Sequence, residues 1–143
     1  MSQDFNFKMT NSPAIVNRLD AMFYGQWPGF QLSDIGLSNP KIPHPIAVIC
    51  DDEVVGGLAF SLFEEPNTTA QVIWLNAVYI APKYRGEGLA SELISYAQSL
   101  LTGRQKWLYA HTDVPSLYAR LGWCEVEAQA RANHKVMRVS LQD

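Results

Sequence analysis

The chain has 143 residues, 48% of them apolar and 17% charged, with a formal charge of −3 and a pI near 5.5. This is one domain's worth of ordinary globular composition, which excludes wholesale disorder. Eleven Lys and Arg residues, scattered apart from Lys83 to Arg85, give no nucleic-acid-binding surface. The start, MSQDFNFKM, is too polar for a secretory signal, and no apolar run reaches the length of a membrane span. The expectation is therefore a single cytosolic domain over residues 1–143, monomeric or dimeric, with no membrane or nucleic-acid partner. Cys50 and Cys124 lack metal or disulfide spacing and are expected to be buried reduced thiols.

In chain order, residues 1–12 read as a first strand or loose arm around Phe5 and Phe7. Ser12-Pro13 is an N-cap followed by proline at the first helical position. Ile15, Val16, Leu19, Met22 and Phe23 make a helical stripe that should end at Gly25. Trp27 to Phe30 is an aromatic loop, a short helix is expected near Leu32–Leu37, and the prolines between Asn39 and Pro45 mark a connector. Ile46–Cys50, Val54–Phe63 and Gln71–Ile80 read as an antiparallel meander, with a bulge or weak point at Gly56-Gly57. An amphipathic helix follows Gly88, with Leu89, Leu93, Ile94, Ala97, Leu100 and Leu101 on its stripe. A strand at Trp107–Ala110, a short helix at Pro115–Leu121 stopped by Gly122, and a closing hairpin of Val126–Ala130 with Val136–Leu141 complete the chain. The class is α+β, around one mostly antiparallel sheet.

One stretch, NAVYIAPKYRGEGLA from Asn76 to Ala90, carries the chemistry. Val78, Tyr79 and Ile80 favour a strand, Pro82 ends it, and Arg85-Gly86-Glu87-Gly88 turns the chain into the helix. Strand, glycine turn and helix aim free backbone N–H groups and a positive dipole end at one point, which suits phosphate. A Gly-x-Gly turn alone is equally consistent with a plain tight connection.

With Ile80-x-Pro82, Arg85-Gly86-x-Gly88-x-Ala90 and the later Tyr118-x-x-x-Gly122-Trp123 together, the chain resembles the GCN5-related N-acetyltransferase (GNAT) superfamily, from about Ile46 to its end. The resemblance implies a mixed sheet flanked by helices, with a V-shaped split between two parallel strands, those of Ile80 and Leu108. It implies acetyl-CoA as cosubstrate and no metal. The pyrophosphate would sit on the N–H groups of Arg85, Gly86, Glu87, Gly88, Leu89 and Ala90, with the Glu87 carboxylate turned to solvent. The pantetheine arm would pair with backbone along Val78, Tyr79 and Ile80. The Val78 N–H would polarise the thioester carbonyl, and the Tyr118 phenol would protonate the departing sulfur. Tyr118 can equally be read as a core tyrosine.

The base is unassigned. Where many family members carry a carboxylate, this chain has Asn76, which cannot take a proton. Glu64 and Glu65, at the far end of the hairpin, are read either as a base acting through water or as a solvated turn. His111, at the end of a strand where the family often has Asn, is read as a base, a holder of the pantetheine arm or a structural histidine. Trp27, Phe30, Trp74 and Asn76 are candidates for lining the acceptor's entrance. The expected activity is direct transfer of acetyl, in a ternary complex, to a primary amine of a small molecule or a peptide amino-terminus. A non-catalytic acyl-CoA sensor on the same fold is the alternative.

Overall fold

The computed structural model describes residues 4–29 and 39–142. The elements are β1 (Phe5–Met9), α1 (Pro13–Gln26), β2 (Ile46–Cys50), β3 (Glu53–Glu64), β4 (Gln71–Ile80), α2 (Leu89–Leu100), β5 (Trp107–Thr112), α3 (Pro115–Ala119), β6 (Cys124–Val126) and β7 (Lys135–Ser140). A 3-10 turn at Pro82–Tyr84 joins β4 to α2. The strands form one seven-stranded sheet in the order β1-β2-β3-β4-β5-β7-β6. The residues around Phe5 are thus an edge strand, paired antiparallel with β2 from Phe5↔Cys50 to Met9↔Ile46. The short helix expected near Leu32–Leu37 lies outside the described residues.

Leu58, Phe60, Leu75 and Ile80 pack with Leu89, Leu93, Ile94 and Ala97 of α2 on one sheet face. Leu19 and Phe23 of α1 pack with Ala47 and Ala59 on the other. Gly57 permits that second contact: a Cβ there would come within 2.5 Å of both the Ile46 carbonyl oxygen and a Leu19 methyl. The bulge expected nearby is real and sits at Val55, since Val48 faces Gly56 and Ile49 faces Val54.

Several boundaries differ from the reading above. Helix α1 passes through Gly25 and ends when the Trp27 N–H reaches the Phe23 carbonyl at 2.8 Å; Pro28, not Gly25, is the breaker. Leu100 leaves the buried stripe and is 40% exposed, whereas Leu101 is fully buried. Cys124 is exposed at the start of β6, so only Cys50 is a buried thiol. The last hairpin begins earlier than expected, at Cys124, and residues 127–134 form a loop.

Among the described residues, strands β4 and β5 are the only parallel neighbours, and they pair through Trp74↔Tyr109 and Leu75↔Ala110. Beyond Leu75 they part, giving the V-shaped split. Its lips are Asn76–Ile80 and His111–Thr112, while Leu108, paired with Val139 of β7, lies toward the closed end. Below that apex the Gln105 side chain acts as an extra peptide unit. Its Oε1 accepts the Ile73 N–H at 3.0 Å, and its Nε2 donates to the carbonyls of Ile73 at 2.8 Å and Trp107 at 2.7 Å.

The departure of β4 coincides with a second bulge. Ala59 faces Asn76 and Leu58 faces Val78, leaving Ala77 unpaired with φ +56°. A left-handed alanine costs about 1–2 kcal/mol, which the surrounding packing supports. The bulge shifts the side-chain alternation by one: Trp74 and Asn76 face the α1 side before it, Ala77 and Tyr79 after it.

Candidate active site

A cavity of about 610 Å³ fills the split. Val78, Tyr79 and Ile80 of β4 form one wall, Arg85 and Ala90 the floor at the glycine turn, and His111, Leu117 and Tyr118 the opposite wall. Seven of the residues expected at a cofactor site therefore meet here. Gly86, Glu87 and Gly88 lie outside the cavity on the exposed turn, and the Leu89 side chain is buried in the core.

The turn is held from behind. Arg85 donates its N–H to the Pro82 carbonyl at 3.2 Å and its Nε to the Ile80 carbonyl at 2.6 Å, with the guanidinium carbon 5.3 Å from the Tyr79 ring centre. Gly86 and Gly88 then take φ values of +85° and +80°, and Gly88 caps α2. Only glycine adopts this region readily. Among the described residues, the N–H groups of Gly86, Glu87 and Gly88 meet no backbone acceptor, and those of the first turn of α2 have none within the helix. The result is a row of open donors at a positive helix end, and Glu87 is exposed, as expected.

Tyr118 is 4% exposed and stands edge-on to Trp123, with ring centres 4.9 Å apart. Burial, with the Asp113 carboxylate adding to it, pushes its phenol well above the usual tyrosine range. It stays protonated at any physiological pH.

Adjoining the first cavity is a second of about 1100 Å³. The face that bounds it carries Ser61, Trp74, Asn76, His111 and Val136, closed by Asn39 and Ile42 on one side and Gln129–Arg131 on the other. Trp74 stacks on Tyr109 at 5.1 Å, and its buried indole Nε1 has no hydrogen-bond partner. Of the residues expected at the acceptor's entrance, Trp74 lines this cavity, Asn76 lines both cavities, and Trp27 lines the smaller one, 6.5 Å from the Tyr79 ring. Phe30 lies outside the described residues.

The two cavities share Leu75, Asn76, His111 and Arg131. His111 Nε2 accepts the Arg131 backbone N–H at 3.1 Å, and its ring stacks on His134 at 4.7 Å. Partial burial, then the charges of His134 and Arg131, lower its pKa. A ring nitrogen that accepts an N–H has its lone pair occupied, so neutral His111 carries its proton on Nδ1. Sequence reasoning missed Ala77, Gln105 and Arg131. None stands in a recognisable local pattern, because each acts through a partner distant in the chain. Among the described residues, no group of three or more His, Cys, Asp or Glu side chains could hold a metal, and no helix is long and apolar enough to cross a membrane.

No curated protein matches the chain. Many solved structures share its fold. NAA60 of Arabidopsis thaliana in complex with acetyl-CoA is 14% identical, covers 96% of this chain and 99% of its own, and has a TM-score of 0.75. An acyl-CoA N-acyltransferase from Pseudomonas aeruginosa is 16% identical, with 97% and 100% coverage and a TM-score of 0.75. An aminoglycoside 6'-acetyltransferase type Ii is 18% identical, with 95% and 97% coverage and a TM-score of 0.71. At these identities the likeness shows the fold. The profile of the acetyltransferase (GNAT) family matches residues 13–123, most of the chain. With the split sheet, the open glycine turn and that match together, the chain belongs to the GNAT family of acetyltransferases, enzymes that use acetyl-CoA as cosubstrate.

Proposed function

We propose that the protein transfers the acetyl group of acetyl-CoA directly to a primary amine, within a ternary complex in the cytoplasm. The observation that carries this reading is the meeting of two cavities at Leu75, Asn76, His111 and Arg131. Cosubstrate occupies the 610 Å³ cleft and acceptor the 1100 Å³ cavity, so thioester and amine meet at the residues the two share. NAA60, which shares the fold, has been solved with acetyl-CoA and with a bisubstrate analogue bound, which supports the assignment of the cleft.

The pyrophosphate lies on the N–H groups from Arg85 to Ala90, and the pantetheine arm continues the sheet along Val78 to Ile80. As the amine attacks, negative charge grows on the carbonyl oxygen, and the Val78 N–H stabilises it. The C–N bond forms, the C–S bond breaks, the nitrogen loses a proton and the sulfur gains one. A thiol has a pKa of about 8.5 and an ordinary phenol about 10. With Tyr118 raised further, full proton transfer to the thiolate is uphill. Tyr118 therefore stabilises the leaving sulfur as a hydrogen-bond donor, and the sulfur's proton comes in the end from solvent. His111, with Nε2 engaged by Arg131, acts in binding through Nδ1–H rather than as the base.

The test pairs thermal unfolding with thiol release. Acetyl-CoA at about a hundredfold excess over its Kd should add about 2.7 kcal/mol of stability, a rise of several degrees in Tm. Release of free CoA should then depend on added amine. Stabilisation without release from any amine would favour a sensor module, and no stabilisation would overturn the reading.

A further inference from the structure

The 1100 Å³ cavity has an uneven chemical character. Its apolar and aromatic lining includes Ile42, Phe63, Trp74 and Val136. Its other polar groups, on Asn39, Ser61, Asn76 and Gln129, carry no charge, and the His111 ring is held neutral. Arg131 is the one formally charged residue among the described lining residues. Its guanidinium has no carboxylate within ion-pairing distance among them; the ion pair that does form nearby joins Lys135 to Glu125 at 3.0 Å.

Arg131 is also placed with care. Its backbone N–H is fixed on His111 Nε2, so the residue stands at the lip common to both cavities. Its charge reaches that lip, because it contributes to lowering the basicity of His111. An unpaired cation at this point repels a polycationic amine and attracts a carboxylate. It also favours the neutral form of an amine beside it, and a neutral amine is the form that attacks. One residue thereby answers two needs of the site: recognition of an acid, and deprotonation where Asn76 offers no base.

We propose that the acceptor is an amino carboxylate with an apolar or aromatic body, its carboxylate paired with Arg131 and its amine at the shared lip. The proposal rests on the acetyl-transfer reading above and names the substrate class for the same site. The acid is recognised by the guanidinium, and the body lies against Phe63 and Trp74.

Phenylalanine and phenethylamine differ only in the carboxylate and serve as matched probes, with spermidine as the polycation. Thiol release should give phenylalanine a kcat/KM about tenfold or more above phenethylamine, with spermidine last. Arg131→Glu, checked for a cooperative thermal transition, should reverse the order of phenylalanine and spermidine, while Arg131→Lys keeps part of the preference. Equal use of phenethylamine by the unaltered protein, or a phenylalanine-to-phenethylamine ratio that Arg131→Glu leaves unchanged, overturns the proposal. So does turnover of neither. The acetyl-transfer reading falls by a different result, the failure of both CoA and acetyl-CoA to raise the Tm.

Discussion

The two cavities that meet at Leu75 and Asn76 of β4 are made in different ways. The smaller is walled on one side by a single run of chain, Val78 to Ala90, and the open donors at its edge are backbone N–H groups exposed by a proline and two glycines. The larger is assembled from six separate places: 39–42, 61–63, 74–76, His111, 129–131 and Val136. Its character comes from side chains. On the proposed reading, the backbone cradle would accept the invariant cosubstrate and the side-chain pocket would vary with the acceptor, so shared chemistry would belong to the first region and specificity to the second.

The strongest way to break that contrast is Gly88→Glu. At φ +80° any side chain is strained, and this one adds a carboxylate beside the open backbone donors. CoA affinity should fall by at least about a hundredfold, seen as loss of CoA-induced thermal stabilisation. A folded variant that kept its affinity would detach the turn from the cosubstrate. Tyr118→Phe should lower kcat by about a hundredfold while moving the acetyl-CoA KM little, a split that steady-state kinetics reads directly. Equal changes in both would make Tyr118 a packing residue.

Ala77→Val sharpens the boundary between the regions, because Ala77 is where β4 changes its facing. A β-branched residue at φ +56° should destabilise the protein by about 1–3 kcal/mol, measured by calorimetry, whereas Ala77→Gly should relax the strain. The smallest effect concerns His111. Its folded pKa lies below the unfolded value of about 6.5, so the unfolded chain binds the proton first. Stability is then lost as pH falls through about 6.5 toward the lowered value, and protonated Nε2 can no longer accept the Arg131 N–H. Amide exchange at Arg131, corrected for intrinsic rates, should quicken a few-fold with acidification; His111→Gln should remove that pH dependence.

The same contrast explains what was legible. Pro82, Gly86, Gly88 and the α2 stripe act within a few residues of themselves, so the strand–turn–helix unit and its open donors could be read directly. The Gly122-Trp123 context singles out Tyr118, which lines the smaller cavity with Trp123 against its ring. Ala77 could not be found, because alanine has no preference for positive φ and the bulge is imposed by β3. Arg131 lay in a stretch read as the approach to a hairpin turn; its placement depends on His111, twenty positions away. Trp27 went to the neighbouring cavity because α1 continues through Gly25, which carries the indole to Tyr79.

Gln105 gives the sheet a spine. Four strands lie on one side of the β4–β5 seam and three on the other, joined by two residue pairs and one borrowed amide. Such a molecule resembles a book bound along a third of its height. The covers are each well laced by antiparallel ladders, so motion concentrates at the binding, and anything that bridges the open pages completes the lacing. A cosubstrate lying there would be, mechanically, the stitch that makes two leaves into one sheet.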